Sequence, residues 1–267
     1  MVDRDDSPGL DEAQAKAQVA ELKTIIDQQP HRLDAHLALA DALCVLGRAE
    51  DAAEALSDAA KLLPQEPLIW DKMAAVRLKL NDWVGTAEAL AEQVQRDPDN
   101  PEAYANWITF AIAAQDAEAA VRASNEFMER HPQHWKAHYF RGRLYDTDPR
   151  HRDLALASLR KAHALAPEEW QPLNDLGETL NAQALEKQDV AGFAEAVMLL
   201  ERSRELAPPE QPEPRYNLAL ALWNSQRGAE AIDALDELLD QTPIGHPLRE
   251  TADRARQAMA RELEGQD

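Results

Sequence analysis

Four prolines, Pro30, Pro64, Pro98 and Pro132, recur at one constant interval of about 34 residues. Pro167, Pro208 and Pro243 continue the series, with one interval, Pro167 to Pro208, longer than the rest. Each follows a helix-forming stretch and precedes the next, where a residue that cannot continue a helix belongs. The interval Asp34–Pro64 shows what lies between two such stops. His36, Leu39, Ala40 and Leu43 make an apolar stripe at helical spacing, Gly47 breaks it, and Ala52, Leu56 and Ala59 make a second stripe. This is a helical hairpin whose small residues let two helices approach while large ones fill the space between them. Such a hairpin cannot bury its outer faces alone and needs neighbours on both sides.

The same positions recur down the chain. Ala40, Ala74, Gly142, Gly177 and Ala219 hold a small slot in the first helix of each copy. Ala52, Thr86, Ala120, Ala155, Ala196 and Ala231 hold a small slot in the second, and Leu56, Leu90, Leu159, Leu200 and Leu235 a bulky slot one turn later. This pattern resembles the tetratricopeptide repeat (TPR) family, whose period is about 34 residues. The resemblance covers nearly the whole chain. It implies an all-α, right-handed α-solenoid of about six hairpins with capping helices at both ends, about fourteen helices in all. Two copies depart from the pattern. The third has Trp107 and Ile108 where a leucine and a small residue are usual, then Ser124 and Phe127 where bulky and small are usual, a large-for-small exchange that can conserve volume. The fourth places Arg141 at a core leucine slot.

Taken in order, residues 1–10 read as a disordered acidic tail and 11–30 as an N-terminal capping helix, a half-repeat with Val19, Leu22, Ile25 and Ile26 on its apolar face. Residues 31–245 form the array of about six repeats. The fourth carries an insertion, Thr147–Asp153, expected to protrude as a loop; the fifth is too long around Asn181–Asp189, so its first helix should be extended. Pro208–Pro214 reads as an extended connection. Residues 246–267 form a C-terminal capping helix and tail, marked by Leu248, Ala252, Ala255, Met259 and Leu263.

With 28 basic and 49 acidic residues the net charge is −21, which opposes nucleic acid and anionic membranes as partners. No stretch is apolar enough to span a bilayer, and membrane insertion is not expected. The single cysteine, Cys44, allows no internal disulfide and favours a reducing compartment. A cytoplasmic location follows, or a soluble fragment from which an export signal was removed.

No glycine-rich phosphate loop, nucleophile elbow or H-E-x-x-H motif is present, so no enzyme activity, catalytic residue or cofactor is expected. His134 and His138 stand one turn apart near His131, but without cysteine or paired carboxylates they are read as structural, and no metal is expected. The family resemblance instead points to the concave groove lined by first helices. Its richest part is expected in copies four to six: Tyr139, Phe140, Arg143, Asn174, Asp175, Glu178, Asn181, Tyr216, Asn217, Trp223 and Asn224. Asparagines can donate to and accept from a peptide backbone, and aromatic side chains give rigid contact area. The adaptors of heat-shock chaperones clamp a C-terminal carboxylate with Lys and Asn, but this chain has Leu37 and Asp41 in those places, and Asp41 would repel a carboxylate. The expected function is a non-catalytic protein–protein interaction scaffold or adaptor binding a peptide or partner segment. The alternatives are a self-assembling structural protein, with self-association as its mark, and an export chaperone for a secretion substrate.

Overall fold

A computed structural model describes residues 12–265, and among them there are fourteen α-helices and no strand. The acidic tail expected over 1–10 lies outside the described residues. The chain forms two compact units that meet in sequence at His131 and Pro132. The N-terminal unit holds α1 (Glu12–Gln28), α2 (Leu33–Val45), α3 (Ala49–Leu62), α4 (Pro67–Lys79), α5 (Trp83–Arg96), α6 (Pro101–Ala113) and α7 (Ala117–Arg130). The C-terminal unit holds α8 (Trp135–Asp146), α9 (Arg152–Leu165), α10 (Trp170–Lys187), α11 (Val190–Leu206), α12 (Glu213–Asn224), α13 (Gly228–Gln241) and α14 (Pro247–Glu264).

Within each unit the helices pair in sequence order, and every repeat slot is filled as its residue type requires. The small and bulky slots named above are buried throughout the array. The two glycines show why. A Cβ on Gly142 would stand 2.7 Å from Cγ of Leu159, and one on Gly177 would stand 2.5 Å from Cγ of Leu200. Each bulky leucine therefore fills the space left by the missing side chain opposite. In the third hairpin the exchange is visible as packing: Ile108 and Ser124 are both buried, and Phe127 stacks on Tyr104 at 5.1 Å. Arg141 is accommodated by lying over the Tyr145 ring and donating to its hydroxyl at 3.1 Å.

The turns follow one rule. In five hairpins a single residue takes the left-handed conformation, Gly47, Asn81, Gln115, Gln188 and Gln226, with φ between 53 and 70°. The N–H after it donates to a carbonyl five residues back, at 2.9–3.0 Å. Continuing the repeat phase from Gln115 lands on Pro149, whose ring holds φ at about −65° and forbids that conformation. The fourth hairpin instead turns through a short 3-10 helix, Pro149–His151, whose N-terminus Asp148 caps by accepting from Arg150 N at 3.0 Å. The expected protruding loop is thus an ordered turn. Its last arginine folds inward: Arg152 pairs with Glu186 of α10 at 2.5 Å.

The periodic prolines also accept hydrogen bonds. Arg96 donates to the Pro64 carbonyl at 2.5 Å, and Nε2 of His36, His131 and His138 meets the carbonyls of Pro30, Pro98 and Pro132 at 2.8, 3.0 and 2.9 Å. A carbonyl can only accept, so each ring carries its proton on Nε2. The extended fifth repeat is as expected: α10 has 18 residues and α11 has 17, against 13 and 14 in the N-terminal hairpins.

Candidate functional site

First helices of successive repeats touch one another in the C-terminal unit, α8 with α10, α10 with α12, and α12 with α14. The second helices α9, α11 and α13 pack chiefly on first helices. The first helices therefore form the inner, tighter row, and side chains on its open side share one face.

Most of the expected groove residues lie along this row, and they are bound to each other. Asn217 donates to Asn174 Oδ1 at 3.1 Å and to Glu178 Oε2 at 3.2 Å. Asn224 donates to Asn181 Oδ1 at 3.1 Å. Asn174 donates to Asp175 at 3.0 Å. The Arg143 guanidinium lies 3.5 Å from Asp175 and over the Tyr139 ring at 5.7 Å. The asparagines thus form rungs between α10 and α12, a role that spacing within one repeat cannot reveal.

Two residues expected in the groove are core. Asn174 is 5% exposed, with Asn217 of the neighbouring first helix against it, and Phe140 is 7% exposed. Tyr216 and Trp223 are half-buried and pack against the apolar core of α12, α13 and α14. Tyr139 packs on the core between α9 and α10 and shares a hydrogen bond with Asp175. What remains open is a recess of about 260 Å³ lined by Arg143, Asp146, Asp175, Glu178 and Thr179.

The electrostatics of this recess are unusual for so acidic a chain. Burial pushes the Asp175 carboxyl up, against the pull of Asn174, Arg143 and Tyr139. Burial and then the charges of Asp175 and Asp146 push Glu178 up. Burial, with the Asp175 carboxylate beside it, also raises the Tyr139 phenol. The site holds its anions at a cost: Arg143 lies against Asp175, and Arg152 lies 3.9 Å from Asp146 but is shared with Glu186.

A second opening lies beside the displaced turn of the fifth repeat, and no motif marks it. This cleft of about 520 Å³ is walled by Leu185, Val190, Phe193 and Val197 and edged by Asn224 and Arg227. Leu185 is 59% exposed and Val190 81%. Its signal in the sequence is the extra length of the repeat, which carries α10 and the start of α11 past their neighbours.

The histidines do not converge. His134 accepts from Lys136 N as the cap of α8, His138 reaches Pro132, and among the described residues no group of three or more His, Cys, Asp or Glu is placed to hold a metal. No helix among the described residues is long and apolar enough to cross a membrane.

Residues 10–76 and 181–244 each match a tetratricopeptide repeat family model. Nothing matches among curated proteins. Among solved structures, yeast Tom70 superposes with a TM-score of 0.62 at 16% identity, over 95% of this chain and 60% of that one. This chain therefore spans less than two thirds of Tom70. A tetratricopeptide repeat protein from Parabacteroides merdae gives 0.59 at 12% identity, over 93% of both chains. YrrB, described as a TPR protein with an unusual peptide-binding site, gives 0.53 at 13% identity, over 78% of this chain and 99% of that one. At these identities the likeness is one of fold. Joined to the repeat slots, the hairpin turns and the two matched segments, it makes this chain a tetratricopeptide repeat protein.

Proposed function

We propose that the chain is a non-catalytic protein-interaction scaffold that binds a segment of a partner protein along the inner row of its C-terminal unit. The observation that carries this is the open recess between α8 and α10, where Arg143, Asp146, Asp175 and Glu178 gather on a row of helices that already touch one another. A preorganised polar recess fixes register and orientation, and neighbouring surface supplies area. The peptide-binding description of YrrB supports the class of ligand. The raised groups Tyr139, Asp175 and Glu178 are explained by burial and by neighbouring carboxylates, an arrangement without a nucleophile beside a base. The net charge of −21 opposes nucleic acid and anionic membrane. With Cys44 as the single cysteine, a cytoplasmic setting fits. Helices α1 and α14 serve as caps of the array, each pairing with one neighbouring repeat.

The test is capture of partners from the native host by wild type and by Arg143→Ala, Glu178→Ala and Asn181→Ala, with thermal melts to confirm folding. Arg160→Ala on α9 and Arg202→Ala on α11 serve as outer controls. A partner retained by the outer variants and lost by the inner ones supports the reading. The reverse pattern moves the interaction to the second helices and overturns it.

A further inference from the structure

The acidic recess and the apolar cleft of the C-terminal unit both border one stripe of one helix. Glu178, at the acidic recess, and Leu185, at the apolar cleft, are seven residues apart on α10. Seven residues are close to two full turns, so the two side chains point within about 20° of each other and stand about 10 Å apart along the axis. Asn224 edges the cleft and donates to Asn181, which lies on the same stripe between them. Recess and cleft are therefore two parts of one surface.

Resting on the scaffold reading above, we infer that this surface docks an amphipathic α-helix of a partner protein that presents an Arg or Lys and, seven residues away, a bulky aliphatic side chain. The apolar cleft takes the aliphatic anchor. Its walls leave Leu185 and Val190 largely in water, an arrangement that burial of a partner side chain relieves. The charge of the recess selects the second anchor. Asp146, Asp175 and Glu178 line the recess with Arg143, and Arg152, which lies 3.9 Å from Asp146, is itself held by Glu186 at 2.5 Å, so four carboxylates stand against two guanidiniums and an entering cation meets an excess of negative charge. Burial already works against ionisation of Asp175 and Glu178, and a cation lodged there would favour the charged forms.

The form of the ligand follows from the amides. An extended segment needs partners for its own N–H and C=O groups, whereas a helix has satisfied them internally. The amides of this row are engaged with each other, Asn217 with Asn174 and Glu178, and Asn224 with Asn181. The surface thus offers anchors for side chains more than a ladder for a backbone, and seven residues of a second helix match the spacing.

The probe is a fluorescein-labelled 18-residue Ala/Gln-based helical peptide with one Arg and one Leu seven apart, made in both orders and titrated by anisotropy. One order should bind at least tenfold more tightly than peptides with Arg→Glu, with Leu→Gln, or with the two anchors five apart on different faces. Asp146→Asn combined with Glu178→Gln should erase the preference for Arg over Gln in the peptide. Leu185→Glu or Val190→Glu, both at exposed positions where folding is safe, should weaken binding tenfold or more and erase the preference for Leu. The inference is overturned if no helical peptide binds, if all bind alike, or if a proline-rich extended peptide with anchors three apart binds more tightly. It is also overturned if Leu185→Glu lowers the mass measured by light scattering, since a second copy of the chain would then be what covers the cleft. A native partner lost by the inner-row variants while every helical probe fails would leave the scaffold reading standing and remove only this one.

Discussion

The two units solve the same packing problem with different regularity. In the N-terminal unit every hairpin pairs a 13-residue helix with a 14-residue helix, and each turn uses one left-handed residue. Its inner row carries an exposed ion pair, Asp41 with Lys72 at 2.9 Å. In the C-terminal unit a proline displaces one turn, one hairpin is lengthened, and the inner row is joined by amides and carboxylates around the buried Asn174. The regular unit has openings of its own, one of about 540 Å³ beside Trp70 and Trp107, but the recess whose carboxyls are raised lies in the irregular unit. The polar groups that are costly to hold thus sit where the repeat rule is broken.

The strongest way to break this comparison is to move the exception of one unit into the other. The third repeat has Ile108 and Ser124 in the slots that the fifth fills with Gly177 and Leu200. Gly177→Ile alone forces a side chain into Leu200 and should cost about 3 kcal/mol or more in urea unfolding, at or above the top of the overpacking range. Adding Leu200→Ser recreates the third repeat's arrangement and should recover part of that loss. If the double variant is less stable than the single one, the two slots are not equivalent and the shared repeat phase is wrong.

That phase is the part most legible from sequence. Glycine opposite leucine, and isoleucine opposite serine, are volume statements that need no structure. The lengthened fifth helix is legible too, because the interval from Pro167 to Pro208 exceeds the repeat period and the excess has to go somewhere. The left-handed turns are not, since Gln115, Gln188 and Gln226 are residues with no preference for that conformation. Nor are the rungs between Asn174 and Asn217: spacing within a repeat gives the face of a helix, and pairing across 43 residues depends on how neighbouring repeats stack. The burial of Phe140 and Asn174, both expected on the groove face, is not legible either. For Asn174 the next first helix lies close enough to cover it through Asn217.

The rungs give the next effect in size. Asn174→Ala removes a buried acceptor and leaves Asn217 Nδ2 with Glu178 alone, at an expected cost of about 1–3 kcal/mol. Hydrogen exchange should show the loss concentrated at α10 and α12. Uniform loosening of the C-terminal unit would mean that the asparagines contribute nothing specific to the joint.

The pH response should have opposite signs in the two units. Glu178 is raised above its ordinary 4.5, so between that value and its folded one the native state holds a proton the unfolded chain has lost. Stability from this group is full below 4.5 and is lost as pH rises through the folded value. Glu178→Gln should therefore melt higher than wild type at pH 7 and match it near pH 4. Asp82, the cap of α5, is lowered below 3.8 by the Gly85 N–H and then by Arg77. Its stability is present above 3.8 and is lost as pH falls through the depressed value. Asp82→Ala should melt lower at pH 7, by about 1 kcal/mol for a lost cap, with the gap closing in acid. Equal and parallel profiles for the two variants would remove the electrostatic distinction between the units.

The smallest effect belongs to the ion pair of the regular unit. By sequence alone Asp41 is a bare charge that would repel a carboxylate, but Lys72 from the next first helix lies against it and offsets that charge. Side-chain exposures of 30% for Lys72 and 61% for Asp41 put the pair in a high-dielectric setting, where such contacts contribute about 0–1 kcal/mol. Lys72→Met keeps most of the stem's packing and removes the charge. It should lower stability by no more than about 0.5 kcal/mol at low salt. The difference should disappear by about 1 M salt, where the screening length falls to about 3 Å. A larger loss, or one that salt does not touch, would show that the N-terminal inner row depends on its polar contacts as the C-terminal row does. The contrast between a regular unit held by packing and an irregular one joined by polar rungs would then fail.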